Sequence, residues 1–196
     1  MWNISFILGS RIRWSFINRV IDSLNEIINI ENVVLHTPRL TDVNIEKGVL
    51  RMGRRFVDLN IIVKELIRGD FLGGILSTMQ LIDEGRFIII DLDIFRKLEW
   101  LDSIPLERET VILLKRFGRK GFKLNIALGK DGSIRISPYK SDSRYTFAGV
   151  FIYGSRFIEH LKKMLLLYYN PDFLRFENIL DSYTYRVGDI YGYIVD

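Results

Sequence analysis

Phe87, Ile88, Ile89 and Ile90 are apolar at every position and run directly into Asp91-Leu92-Asp93. A strand with one wet face alternates apolar and polar side chains. One that is apolar at each successive residue suits the centre of a sheet covered on both faces. This restricts the chain to a layered α/β architecture. The opening segment points the same way. Asn3–Leu8 reads as a buried first strand, and Gly9–Arg13 as a turn carrying Arg11 and Arg13. Trp14, Ile17, Ile21, Leu24 and Ile28 follow at alternating spacings of three and four, one apolar stripe at helical period. Asn32–His36 is a short β-branched strand ended by Thr37-Pro38. Strand, helix, strand in this order predicts parallel strands joined by a right-handed crossover.

Beyond that unit the punctuation is denser. Thr41–Arg55 is polar and interrupted by Gly48 and Gly53, and no element is assigned to it. Phe56–Leu66 reads as strand, then helix or loop, and Gly69–Gly74 as a turn. Ile75–Asp83 reads as a helix with Gly85 at its C-terminus. In the second half, Thr110–Leu114 and Phe147–Tyr153 read as strands. Leu124–Leu128 and Ser133–Ser137 flank Gly129-Lys130-Asp131-Gly132, a hairpin signal. Ser155 is expected to cap a helix with Phe157, Leu161, Leu165 and Tyr168 inward, broken by Asn170-Pro171. A helix over Asp172–Tyr183 and a strand over Ile190–Val195 complete the pattern. No Pro/Gly/Ser linker intervenes, so a single domain over 1–196 is expected, with halves 1–95 and 96–196.

Composition narrows the chemistry. At 48% hydrophobic residues the chain can bury a sizeable core. It has no cysteine, which excludes disulfides, thiolate zinc sites, iron–sulfur clusters and cysteine nucleophiles. Its two histidines, His36 and His160, are too few for a multi-histidine metal site. A formal charge of +4 suits an anionic ligand or equally an ordinary charged surface. Met1–Leu8 is too short for a signal-peptide core, and the apolar run Met164–Tyr169 too short to span a bilayer, so a cytoplasmic placement is expected. The wealth of Ile, Leu, Arg and Tyr has a thermophilic flavour.

Asp91-Leu92-Asp93 is the strongest chemical signal. In an extended segment residues two apart share a face, so both carboxylates are expected to project together from the carboxyl end of a central strand. Ligands of open α/β sheets bind at such ends. Two clustered carboxylates beside an apolar core call for a cation, and oxygen ligands alone select a hard one, Mg²⁺ or Mn²⁺. The plainer alternative is a solvated loop, with Asp93 capping Ile94–Leu98.

The order FILGSRIR, NVVLHTP, GGILSTMQLIDEG, RFIIIDLD resembles the GT-A fold of nucleotide-sugar glycosyltransferases, in the form of a compact, divergent member of archaeal or viral kind. FAGVFIYGSRFIEHLKK resembles that family's acceptor-side strand and helix, and RFENILDSYTYR its acidic segment. The resemblance implies a Rossmann-like, mixed but mostly parallel sheet flanked by helices. It implies transfer of a sugar from a nucleotide-sugar donor to a glycan, protein or lipid acceptor. Asp91 would touch the ribose or the metal, and Asp93 would bind the metal. The first-strand loop, with Leu8, Gly9, Arg11 and Arg13, would hold the nucleotide, and Thr37–Arg39 would line the same pocket. Glu177 is the favoured catalytic base, four residues from Asp181 on one helix face, with Asp142 the competitor. A retaining enzyme would need none of these bases.

Other features have plainer readings beside the functional ones. Lys115, Arg116, Arg119, Lys120 and Lys123 surround Phe117 and Phe122, a pattern that can grip nucleic acid or touch an anionic membrane surface, or simply stay solvated. Gly73-Gly74 is either a phosphate-facing turn or only a turn. His36 is expected at a strand end and His160 on a helix surface. The rival readings are a sugar-1-phosphate nucleotidyltransferase, which should carry a G-G-x-G-x-R loop after its first strand, and a non-catalytic nucleic-acid-binding module. Nucleic acid is not expected as a partner under the favoured reading.

Overall fold

The computed structural model describes residues 1–9, 12–38, 42–102, 104–116, 124, 126–136, 145–168 and 171–195. The chain divides into two compact units, Met1–Ile104 and Pro105–Asp196.

The first unit alternates strand and helix: β1 (Trp2–Ile7), α1 (Trp14–Asn25), β2 (Ile30–Thr37), α2 (Val43–Arg55), β3 (Asn60–Glu65), α3 (Phe71–Met79) and β4 (Arg86–Asp91). Its four strands are all parallel, in the order β3-β2-β1-β4. β1 therefore lies between β2 and β4, and the chain switches sides of it after β3. Ile4, Phe6, Val33–Leu35 and Phe87–Ile90 are buried. Burial at consecutive residues of β4 requires cover on both faces, as the unbroken apolar run predicted. On α1 the buried residues are Phe16, Ile17, Val20, Ile21 and Leu24.

α2 was not foreseen. Asp42 caps it, accepting from Asn44 N at 2.8 Å. Gly48 reads as a breaker in sequence but serves packing. A Cβ there would lie 2.0 Å from the Trp14 ring, so the indole rests directly on the helix backbone. α3 also begins earlier than expected, because Asp70 caps it through Gly73 N at 2.8 Å. Gly73-Gly74 is thus neither a turn nor a phosphate loop. Gly74 lets α3 press onto Ile7 of β1, where a Cβ would meet the Ile7 side chain at 2.5 Å.

The second unit holds β5 (Val111–Arg116), β6 (Ile126–Leu128), β7 (Ser133–Ile136), β8 (Tyr145–Tyr153), α4 (Ser155–Leu167), α5 (Phe176–Arg186) and β9 (Ile190–Val195). β5 pairs antiparallel with β8 and parallel with β9, while β7 pairs antiparallel with both β6 and β9. The expectation of a mostly parallel sheet is therefore not met here. β6 and β7 are joined by a tight hairpin, and a hairpin can join only antiparallel strands. Phe147, Phe151, Tyr153, Phe157, Phe176 and Tyr183 form a buried aromatic cluster, with ring centroids 4.9–6.4 Å apart for the neighbouring pairs. Ser155 is the first residue of α4 rather than its cap, a position taken by Gly154 without a side-chain bond. His160 is not on the surface. It is buried and meets Tyr183 edge-on at 5.7 Å.

Candidate functional site

The switch in strand order places a crevice beyond the carboxyl ends of β1 and β4, the position where open α/β sheets bind ligands. Ile7 stands opposite both His36 of β2 and Asp91 of β4. One further step of hydrogen bonding follows on each side: Leu8 N donates to His36 O at 2.9 Å, and Leu92 N to Ile7 O at 3.1 Å. The chains then part at Gly9 and Asp93.

Asp91 and Asp93 come together, but not by strand pleating. β4 ends at Asp91, and Leu92–Phe95 turn back, with Ile94 N and Phe95 N bonded to Asp91 O at 3.1 and 2.8 Å. Asp91 Oδ1 accepts from Asp93 N at 2.9 Å, so Asp91, rather than Asp93, caps this turn. The Asp93 carboxylate is exposed and leans across Gly9. A Cβ on Gly9 would stand 1.9 Å from Asp93 Oδ1. Only a glycine lets the two loops approach this closely. Burial raises the Asp91 carboxyl above its ordinary range, the Asp93 charge adds to this, and the Asp93 amide and Arg96 oppose it. Two carboxylates so placed offer hard oxygen donors and a charge that a cation would relieve. Mg²⁺ and Mn²⁺ sites commonly take one or two protein carboxylates and complete the shell with phosphate and water. The donor set fits such an ion. Among the described residues no group of three or more His, Asp or Glu side chains is placed to hold a metal.

Beside this crevice is a cleft of about 560 Å³. Gly9, Thr37 and Pro38 form its strand side, Trp14 one wall, and Asp42, Asn44, Lys47, Gly48 and Arg51 of α2 and its cap the other. Gly9 thus borders both the carboxylates and the cleft. Lys47 and Arg51 lie four residues apart on one face of α2, both exposed, and give the cleft an excess of positive charge over Asp42. Sequence reading missed both, although their spacing was a helix signal once Gly48 is read as a seat for Trp14. Trp14, the first residue of the α1 apolar stripe in sequence, lines the cleft and is not among the buried residues of α1.

The remaining candidates are scattered. Leu8 is buried and contributes only its amide to the ladder. Arg13 turns away, its guanidinium lying 4.4 Å from the Phe16 ring centroid and bonding Phe95 O at 3.4 Å. Glu177 and Asp181 stand one turn apart on α5, both half-buried, in the second unit. Asp181 borders a small groove with Asn178, Ser182 and Arg186, and Glu177 does not. Arg11, Arg39 and Asp142 lie outside the described residues, as does the basic stretch from residue 117 to 123. Lys115 and Arg116 close strand β5 and are not in a loop.

His36, beneath the site, is fully buried. Its Nε2 lies 2.8 Å from Thr78 Oγ1, which also meets Ser5 Oγ at 2.8 Å and Gly74 O at 2.9 Å. The Thr78 hydroxyl donates to the Gly74 carbonyl, so its oxygen accepts from His36 Nε2–H. Nδ1 has no partner. Burial, with Lys64 adding, lowers the imidazole to about 4, and it stays neutral at physiological pH. It is a structural group.

By sequence the chain matches no family profile and no characterised protein. Solved structures match it along its whole length at low identity. A protein of Bacillus anthracis assigned as a glucose-1-phosphate thymidylyltransferase, solved with sucrose, is 13% identical with a TM-score of 0.67, covering 100% of this chain and 87% of that one. The CTP:phosphocholine cytidylyltransferase of Streptococcus pneumoniae is 12% identical with a TM-score of 0.64, covering 100% and 90%. The inositol-1-phosphate CTP transferase of T. maritima is 12% identical with a TM-score of 0.62, covering 98% and 84%. The chain thus shares the mixed α/β fold of these solved nucleotidyltransferases.

Proposed function

We propose that this chain is a metal-dependent nucleotidyltransferase, which joins the nucleotidyl group of a nucleoside triphosphate to the phosphate of a small phosphorylated sugar or alcohol. The observation that carries this reading is the approach of Asp93 to Gly9 at the strand switch point, beside a cleft with a cationic wall. A divalent cation held by Asp91 and Asp93 would supply charge neutralisation on the phosphates. Lys47 and Arg51 hold phosphate oxygens, and the Trp14 wall gives a flat surface for a base. The acceptor phosphate oxygen attacks the α-phosphorus as the bond to the β-phosphate oxygen breaks, and diphosphate leaves. The nucleotidyltransferases that match the fold support this choice over the glycosyl transfer favoured from sequence.

Glycosyl transfer is the second reading, and one observation favours it. Where a nucleotidyltransferase is expected to have G-G-x-G-x-R, this chain has only Gly9-Ser10-Arg11. In that case Glu177, Asp181 or Asp142 would act as base on an acceptor hydroxyl.

One experiment separates the two. The protein is incubated with Mn²⁺ and either a nucleoside triphosphate plus a sugar 1-phosphate, or a nucleoside-diphosphate sugar plus acceptor. Diphosphate release in the first mixture is expected, with Asp93→Ala and Gly9→Ala each slowing it by about 10²-fold or more. Nucleoside diphosphate released only in the second mixture selects glycosyl transfer. Full activity of both variants would remove the proposed centre.

A further inference from the structure

We infer that the outer side of α4, with the end of α5, is a docking surface for an anionic phospholipid membrane. A groove of about 500 Å³ lies there, wholly within the second unit. Arg156, Glu159, Lys163 and Leu166 follow one another along α4 at intervals of three, four and three, and Leu167 lies four residues after Lys163, one stripe on one face. Arg186 and Val187 border the same groove from α5. The cations outnumber the single carboxylate, Glu159. Arg156 is partly engaged with Glu109 at 3.6 Å, but among the described residues neither Lys163 nor Arg186 pairs with a carboxylate.

Apolar groups crown the stripe. Leu166 is 88% exposed and Leu167 72% exposed, at the last turn of a helix whose other face supplies core. Two adjacent exposed leucines beside Lys163 and Arg186 put apolar area and positive charge on one face. A protein partner with a plain apolar patch would leave the cations unmatched, and a soluble anion would leave the leucines wet. A lipid surface satisfies both at once. Leucine side chains enter the acyl boundary while Lys163 and Arg186 meet phosphate groups, the arrangement of interfacial amphipathic helices. The floor of the groove adds a polar group without a partner. His160 is only 5% exposed and borders the groove, and its Nε2 makes no hydrogen bond. No helix among the described residues is long and apolar enough to cross a bilayer, so the contact lies on the surface. It is independent of the nucleotide chemistry.

Vesicle co-sedimentation of the full chain tests this, with phosphatidylcholine vesicles alone and with phosphatidylglycerol added. Binding is expected only to the anionic vesicles and should weaken as salt rises. Lys163→Glu and Arg186→Glu should each lower it by roughly fivefold or more, and Leu166→Asp with Leu167→Asp should abolish it. All four positions are exposed, and an unchanged circular dichroism spectrum confirms that the variants fold. Absence of binding, equal binding to both vesicle types, or indifference to the four substitutions overturns the proposal. So does concentration-dependent self-association, removed by the leucine substitutions and unaffected by lipid, which would mean that a second copy covers the face.

Discussion

A single atom, Asp91 Oδ1, sets how Asp91 and Asp93 are placed. Strand alternation would put both carboxylates on one face of a continuing strand, but the strand does not continue. The strand stops at Asp91 because its own carboxylate captures the Asp93 amide. Nothing in D-L-D by itself forecasts that capture. Gly9 shows the complementary limit, since a lone glycine after a strand reads as a turn until the facing carboxylate is seen 1.9 Å from its absent Cβ. His36 yields a sharper expectation. Its folded value of about 4 lies below the ordinary 6.5, so between these pH values the unfolded chain binds a proton that the folded chain refuses. The stabilisation is complete above about pH 6.5 and is lost as pH falls toward about 4, by roughly 3 kcal/mol in total. Urea unfolding at neutral pH and near pH 4.5 measures it. Carboxylates titrate over part of this range, so the relevant quantity is the difference from His36→Gln, whose pH dependence should be flatter. Parallel curves for the two proteins would show that His36 is not held neutral by the fold.

Elements built on hydrophobic period were legible, and elements built on exceptions were not. β9 was placed at its observed ends, and α1 was found from its stripe because Ile17, Ile21 and Leu24 obey it. α2 escaped because its mean character is polar and it carries two glycines, and glycine weakens a helix in isolation. Its cap at Asp42, its buried Ile45 and Met52, and the Trp14 contact at Gly48 outweigh that cost. With α2 unseen, the cationic wall of the cleft was unseen too. The two glycines should therefore answer differently to substitution. A methyl group added at Gly53 would have nothing within 4 Å, so Gly53→Ala should stabilise by about 0.5–1 kcal/mol. Gly48→Leu must displace the indole and should destabilise by about 1–3 kcal/mol, with a shift in tryptophan emission that Trp14→Phe removes. Chemical denaturation of the three variants checks this, and equal effects at Gly48 and Gly53 would contradict the packing account.

At the scale of the whole molecule, every described residue of the proposed nucleotide site belongs to Met1–Ile104, while Glu177 and Asp181 belong to Pro105–Asp196. The absence of a flexible linker in the sequence bears on how the units unfold. Around the boundary the chain is tied down locally. Ile104 N bonds Leu101 O at 3.3 Å, Arg108 N bonds Pro105 O at 3.1 Å, and Leu101 and Ile104 are both buried. Neither bond crosses the boundary, but no Pro/Gly/Ser linker separates Ile94 from Thr110, so a single calorimetric transition is expected. A ligand that binds only the folded state at a hundred times its dissociation constant adds about 2.7 kcal/mol. For a chain of this length that corresponds to about 5–10 °C. Nucleoside triphosphate with Mn²⁺ should therefore raise the whole transition by that amount, although its site occupies one unit. Chelating the metal, or Asp93→Ala, should abolish the shift and leave the transition single. Two transitions, of which only one moves with nucleotide, would show that the units are energetically separate.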